Sequence, residues 1–411
     1  MKVLLTSSLY PTPQTPKVVG GAEIFARRFA EGLVECGDQV EVVRAAISED
    51  RRPESHNGID IYTAAVQNVY LPFNEPRNVA LRSVWHGVED WQVRAPMIAE
   101  RIRAFRPDVI HSNNLSGLTT AIWRVAAQLG VPVLHTIHDY YLTCPRCSRF
   151  TNGKSCEHTC TSCSLLSYHR RRATHWLSAV VGVSQRVLSI HTDLGMFADT
   201  PIRTVIHNAS TAPPSAPHLR PLSTGEVTFG FIGRLTEEKG IENLMRALAT
   251  LPRERFKTLI AGRVSDSEQQ RLRAIAPNAR VEFMGFVSPD DFYKAVDVVI
   301  APSIWHDPGP LVVADAKAAG RPLLGTRYGG MPEAIEDGIT GWLTDADPTS
   351  LANSMLSIAA DPHKIVEISE RLASDNNKWM FSDVITAYRK LYKQLRETQP
   401  RRQFARAAVT P

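Results

Sequence analysis

No stretch of this 411-residue chain is a long apolar run. A membrane-spanning helix needs ~18 to 20 such residues, so a helical channel or transporter is excluded. Charge of one sign is not in large excess either: 47 Lys and Arg stand against 42 Asp and Glu, for a net +5. That balance permits an anionic ligand or a weak membrane-surface contact and does not call for nucleic acid. The opening "MKVLLTSSLYPTP" has one Lys and a three-residue apolar core, too short for a secretory signal. It reads as a first buried strand, and the protein is expected in the cytoplasm. Cysteine is scarce outside one stretch, with Cys36 alone and the other five between residues 144 and 163. Thiols stay reduced in the cytosol, and clustered thiols there favour metal over disulfides.

What is present is the composition of a soluble enzyme, 43% hydrophobic and 22% charged. The length is too great for one ordinary core and predicts two domains. In the first half, "KVLLTSS" is followed by Gly20 and Gly21 and by a helix with Phe25, Phe29 and Leu33 on one face. "ECGDQVEVV" stops that helix at Gly37, and "PDVIHSN", "VPVLHTIHD" and "AVVGVS" continue an alternation of strands and helices. Residues 207–226 are rich in Pro, Ser and Thr, a linker composition. The alternation then restarts with "VTFGFIG" and runs to "PLLGT". The expected organisation is an N-terminal Rossmann-like domain over 1–206, a linker over 207–226 and a second Rossmann-like domain over 227–380. A final helix over 381–396 is expected to pack back on the first domain, with a frayed basic tail after it. The fold class is α/β, two doubly wound domains facing each other across a cleft, with ligands at the carboxyl ends of the strands.

Two segments carry the chemistry. "GFIGRLTEEKGIENL" follows a strand and opens a helix: Gly233 permits a tight turn, and Arg234 and Lys239 put two cations beside a helix N-terminus. Dipole and side chains there would act on one anion, such as a diphosphate. A pair of solvated surface cations is the plainer alternative. "WHDPGPLVVADAKAAG" sets Asp307 before a helix and Asp315 within its apolar run, with Pro308 and Pro310 fixing the approach. An aspartate among Val312, Val313, Ala314 and Ala316 needs a hydrogen-bonding partner, which a ligand hydroxyl would supply. The amides of Gly309, Leu311 and Val312 would face an anion. Otherwise Asp307 is a cap and Asp315 turns to solvent.

Taken together, "GGAE", "HD", "GRLTEEKG" and "DPGPLVVADAKAAGRPLLGTRYGGMPEAIEDGITGWL" resemble retaining nucleotide-sugar glycosyltransferases of the fourth family, which have the GT-B fold. The resemblance is strong over residues 229–343 and looser before 130. It implies that Asp307 occupies the place of a glutamate that contacts the donor sugar's hydroxyls, and Asp315 that of a glutamate on the nucleotide ribose. Each is one methylene shorter here, and Gly309-Pro310 replaces the usual Phe-Gly. Arg234 and Lys239 would bind the diphosphate and stabilise its charge as it leaves. Gly20 and Gly21 would let the N-terminal loop approach acceptor or phosphate. His138 matches a histidine facing the sugar, and "GGMPE", ending in Glu333, matches a loop beneath the donor. Asp345 and Asp347 in "TDADPTSL" read as helix-capping residues rather than a metal motif, and no catalytic metal is expected.

The cysteine stretch offers Cys144, Cys147, Cys156, Cys160 and Cys163, with His158, as ligands for a tetrahedral structural zinc. Unligated thiols, or disulfides in an oxidising compartment, are the alternatives. Relatives with a similar insertion usually lack the second cysteine, which implies Cys144, Cys156, Cys160 and Cys163 as the set, with Cys147 in reserve. "YHRRRATHWL" reads as a solvated basic helix face, or as a contact with an anionic membrane carrying a lipid-linked acceptor. A Rossmann-type oxidoreductase would want Gly-x-Gly-x-x-Gly after the first strand, which "SSLYPTPQTPKVVGGAE" does not supply. A zinc and nucleic-acid-binding module leaves the second half unexplained. The expected activity is retaining transfer of a hexose from a nucleoside diphosphate sugar to a hydroxyl acceptor. That acceptor is a glycan or a lipid-linked glycan of surface polysaccharide or lipopolysaccharide, met in the cytoplasm or at the inner face of its membrane.

Overall fold

Short apolar segments form most of the strands, and helices alternate with many of them. The computed structural model describes residues 1–15, 20–72, 78–210, 226–375 and 380–398. The "STAPPSAPHLRPLSTG" part of the expected linker therefore lies almost wholly outside the described residues, as does the basic tail. The chain divides into two compact units. One comprises Met1–Arg149, Glu157–His207 and the chain from Val384; the other comprises Phe150–Cys156 and Asn208–Asp383.

In the first unit the strands are β1 (Lys2–Thr6), β2 (Gln39–Ala46), β3 (Asp50–His56), β4 (Ile59–Ala65), β5 (Val109–Ser112) and β6 (Val133–Ile137). A small antiparallel hairpin, β7 (Phe150–Thr151) and β8 (Lys154–Ser155), belongs to the second unit, and β9 (Ala179–Gly182) and β10 (Ile202–Val205) return to the first. The first sheet runs β10-β9-β6-β5-β1-β2-β4-β3, parallel throughout except for the β3–β4 pair. Its inner strands are buried on both faces, as a helix-covered parallel sheet requires. The helix Gly21–Glu35 buries Phe25, Phe29 and Leu33. The last helix, Phe381–Thr398, buries Val384, Tyr388, Tyr392 and Leu395 along one stripe. Tyr392 Oη lies 2.5 Å from His111 Nδ1, and Tyr388 Oη lies 3.0 Å from Thr136 Oγ1, so this helix is fastened to β5 and β6.

The second unit holds β11 (Val227–Ile232), β12 (Phe256–Ala261), β13 (Val281–Gly285), β14 (Val298–Ala301), β15 (Leu323–Thr326) and β16 (Gly341–Thr344). Their order, β13-β12-β11-β14-β15-β16, is all parallel and reverses direction between β11 and β14. One apolar cluster packs Phe229 and Phe231 against Leu244, Met245 and Met355; another packs Val299 and Ala301 against Phe292, Val313 and Met331. The point where the order reverses splays the loops that follow β11 and β14, which opens a crevice for ligands there. Among the described residues no helix is long and apolar enough to cross a membrane.

Candidate active site

Both candidate segments of the second unit follow strands at this reversal. β11 leads to Gly233 and Arg234, then to a single 3-10 turn at Glu237–Lys239 and the helix Ile241–Leu248. Gly240 joins turn to helix with φ 75°, and a Cβ there would stand 1.8 Å from the carbonyl oxygen of Pro302. The loop after β14 thus presses directly on the turn, and Ile304 N donates to Glu238 O at 3.0 Å. This contact brings Lys239 Nζ onto Asp307 Oδ2 in an ion pair. The Asp307 side chain is 7% exposed and that of Lys239 23%, so the pair is largely withdrawn from water. Lys239 Nζ also lies 5.5 Å from the centre of the Trp305 ring. An ammonium carries three donors, so Lys239 can hold Asp307 and still offer protons to a phosphate. Arg234 is about half exposed and meets Glu238 at 3.4 Å, a weak surface pair that leaves it able to turn toward an anion.

Asp307 is held from below by "YGG". Gly329 has φ 60°, and a Cβ on it would lie 2.2 Å from the backbone oxygen of Asp307 and 2.5 Å from its nitrogen. Gly330 N donates to the same oxygen at 2.8 Å. The β7–β8 hairpin turns at Asn152-Gly153, both with positive φ, as a tight hairpin prefers. It brings Ser155 Oγ to donate to Ile304 O at 3.4 Å and to accept from His306 N at 3.2 Å. Part of the cysteine-rich stretch therefore buttresses the Asp307 loop.

The helix Leu311–Ala318 begins with Pro310 as its cap residue and has no side-chain cap, so the first-turn amides of Leu311 and Val312, with Gly309 just before them, lack an intrahelical acceptor. Asp315 is half-buried and does not depend on a ligand for its partner: Ser210 Oγ donates to its Oδ1 at 2.8 Å. Asn208 Nδ2 donates to Gly309 O at 2.7 Å. Residues 208 and 210, which composition assigns to a linker, thus dock on the start of this helix. Their signal was the polar "HNAS" directly after a strand. Glu333 sits exposed in the first turn of Met331–Ala334, and Asp347 caps Pro348–Ala360 by accepting from Thr349 N and Ser350 N at 2.9 Å each.

In the first unit His138 follows β6. Its Nε2 lies 3.1 Å from Asn113 Oδ1 and its ring 4.8 Å from Phe25. A side-chain carbonyl can only accept, so Nε2 carries the proton and Nδ1 is an acceptor. Protein surrounds the ring while leaving part of it open, and burial pushes its pKa down to about 3. The imidazole is neutral near pH 7. Asn113, at the end of β5, is the residue the sequence reading missed. Gly20 adopts extended backbone that any residue could adopt, and its amide donates to Glu23 Oε2 at 2.7 Å. "GGAE" is here a helix start at which Glu23 closes back on the Gly20 amide.

The zinc expectation is not supported. Among the described residues no group of three or more His, Cys, Asp or Glu is placed to hold a metal ion. Cys156 groups with the second unit, whereas Cys144, Cys147, Cys160 and Cys163 group with the first. Cys147 is turned to Ser116 Oγ at 3.9 Å, and burial raises its thiol pKa. The Cys163 thiol donates to Cys144, which draws the Cys144 pKa down to about 5. The basic run also divides. Arg170 is fully buried, 3.2 Å from Asp90 Oδ1 and over the Tyr141 ring, and Leu177 is buried, while Arg172 is exposed.

The family profile described as Glycosyl transferase 4-like domain matches residues 20–209, and that described as Glycosyl transferases group 1 matches residues 226–361. A relative described as an uncharacterized 42.6 kDa protein in the cps region of Klebsiella pneumoniae is 31% identical over 335 residues, 81% of this chain and 87% of its own. Sucrose-phosphate synthase from Thermosynechococcus elongatus superposes with a TM-score of 0.72 at 18% identity, covering 97% of this chain and 99% of that one. HepE from Anabaena, solved in complex with UDP-glucose, does so with 0.64 at 20% identity and the same coverage. At such identities the two structures establish the fold alone. Two profiles that tile both units, and a relative that spans most of the chain, establish the family: this protein belongs to the group 1 glycosyltransferases of the GT-B fold.

Proposed function

We propose that this glycosyltransferase moves a hexose from a nucleoside diphosphate sugar to a hydroxyl of a growing surface glycan or lipid-linked glycan, with retention at the anomeric carbon. The observation that carries the reading is the Lys239–Asp307 pair at the reversal of the second sheet, with Arg234 alongside. One short loop there offers cations for a diphosphate and a carboxylate for sugar hydroxyls. The relative from a cps region supports a polysaccharide role, and the HepE complex with UDP-glucose supports a nucleotide-sugar donor.

In this mechanism Asp315 accepts from the ribose, and the amides of Gly309, Leu311 and Val312 face the phosphates. Asp307 accepts from hydroxyls of the donor sugar. In the first unit, neutral His138 is able to accept a hydroxyl through Nδ1. The acceptor oxygen attacks the anomeric carbon on the face that the phosphate leaves. The carbon–oxygen bond to phosphate breaks, and the acceptor proton passes to the departing phosphate oxygen. Arg234 and Lys239 stabilise the charge that develops on the diphosphate, the term that commonly dominates such catalysis. The reaction takes place in the cytoplasm or at the inner face of its membrane.

The test is a panel of UDP-, GDP- and ADP-sugars, scored first by thermal shift and then by nucleotide release. A true donor at 100 times its dissociation constant adds roughly 2.7 kcal/mol of stability. The anomeric configuration of the product, read by proton NMR, decides retention. No shift or nucleotide release with any sugar nucleotide overturns the donor assignment, and an inverted product overturns the mechanism.

A further inference from the structure

We propose that the β7–β8 hairpin is a working part of the donor site and that Ser155 is its positioning residue, setting the backbone that carries Trp305 and Asp307. The inference rests on the roles proposed above for Asp307 and Lys239. Residues Phe150–Cys156 group with the second unit although the chain on both sides of them groups with the first. Opposed residues of an antiparallel pair share a face, and here Phe150 lies opposite Ser155 and Thr151 opposite Lys154. Phe150 is buried and Lys154 is exposed, so the face that carries Ser155 is the packed one. The turn is Asn152-Gly153, with φ 51° and 72°, the backbone that a two-residue hairpin prefers. At the open end buried Arg149 donates to Thr159 Oγ1 at 2.9 Å and to Glu157 O at 3.4 Å. A two-stranded hairpin has little stability alone, and these closures with the packed face hold its shape.

Both loops of the candidate site meet this hairpin. At its tip, a Cβ on Gly153 would stand 3.1 Å from Glu237 Oε1, so the turn lies against the Glu237–Lys239 segment. At its end, the Ser155 hydroxyl donates to Ile304 O at 3.4 Å and accepts from His306 N at 3.2 Å. Those two peptide groups stand on either side of Trp305. The Trp305 ring centre lies 5.5 Å from Lys239 Nζ, and the Trp305 carbonyl accepts from Asp307 N at 2.8 Å. One hydroxyl therefore spans the three residues that lead into Asp307, and it acts through that carboxylate and its ammonium partner. An alanine in its place removes both contacts and takes an acceptor from the amide of a buried residue. The loop is then able to shift, and a displacement of about 1 Å in a catalytic group costs roughly 100-fold in rate.

The test compares the full chain with Ser155→Ala, Ser155→Thr, Asp307→Asn and the double variant Ser155→Ala with Asp307→Asn. Nucleotide release is measured from UDP-glucose, GDP-mannose and ADP-glucose, and hydrogen exchange is measured at the His306 amide. Ser155→Ala should lower kcat by about 10- to 100-fold, with Tm and the Kd of free nucleotide unchanged. Exchange at His306 should quicken by about ten-fold or more. Ser155→Thr keeps the hydroxyl and should restore both. In the Asp307→Asn background Ser155→Ala should add little, because a residue that acts through Asp307 then has nothing left to position. Wild-type turnover in Ser155→Ala, or a double variant that falls by the product of the two singles, overturns the inference and leaves the roles of Asp307 and Lys239 standing. Tm and nucleotide affinity that fall together with kcat also overturn it, since Ser155 is then a general support of the fold. Near-normal turnover of Asp307→Asn overturns the proposed role of Asp307, and this inference with it.

Discussion

Replacing Lys239 by Ala tests whether the pair with Asp307 is structural as well as catalytic. It leaves a carboxylate with a 7% exposed side chain next to no counter-ion. Removing one partner of a fully buried pair costs about 3–5 kcal/mol. Lys239 keeps 23% of its side chain in water, so about 2 kcal/mol is the better scale here. For a domain of this size that is a fall in melting temperature of about 4–8 °C. Adding Asp307→Asn removes the orphaned charge and should return most of the loss, giving a coupling energy in the double-mutant cycle. Activity behaves differently. Both singles and the double should fall by about 100-fold or more in nucleotide release, because a charge contact to the transition state is lost in each. Differential scanning fluorimetry and a nucleotide-release assay on the same four proteins separate the effects. A Lys239→Ala protein that melts with wild type, or a double variant no more stable than that single, refutes the structural role. Near-normal turnover in the singles refutes the catalytic one.

Gly329→Ala should destabilise by about 2 kcal/mol or more and depress turnover, since the new methyl meets the Asp307 backbone and no rotamer relieves it; unchanged melting and turnover would contradict the cradle. Asp315→Asn should weaken binding of the free nucleotide by calorimetry, while Asp307→Asn should spare it and weaken only the nucleotide sugar; the reverse pattern refutes the division between ribose and sugar. Stability should fall between pH 7 and pH 5. Buried His135 and His191 stay neutral in the fold, with pKa values lowered to about 3 and about 4, whereas the unfolded chain takes up protons near 6.5. The unfolded state therefore gains protons as pH falls, at a cost of about 2 kcal/mol for each histidine by pH 5. Asp139, raised to about 6 by burial, gains stability over the same range and offsets about 1 kcal/mol. A melting temperature that is flat or rises on acidification refutes the sign.

Periodicity and punctuation determined the architecture. Strands such as "VTFGFI" are apolar throughout because a covered parallel sheet buries both faces, and the glycines beside them mark turns that local sterics demand. Arg234, Lys239, Asp307 and Asp315 were legible as candidates through the family resemblance, since their spacing alone left solvated cations and helix caps as alternatives. Their partners were not legible. Lys239 and Asp307 are 68 residues apart, Ser210 and Asp315 are 105 apart, and His138 meets Asn113 across neighbouring strands. The order of strands in the sheet brings such groups together, and no local pattern encodes that order. The inward turn of Arg170 has the same cause: burial of Asp90 on another helix makes an interior partner available, so a run of three like arginines splits between core and surface. Sequence set which chemistry each segment carries, and the packing of distant segments decided which charges meet.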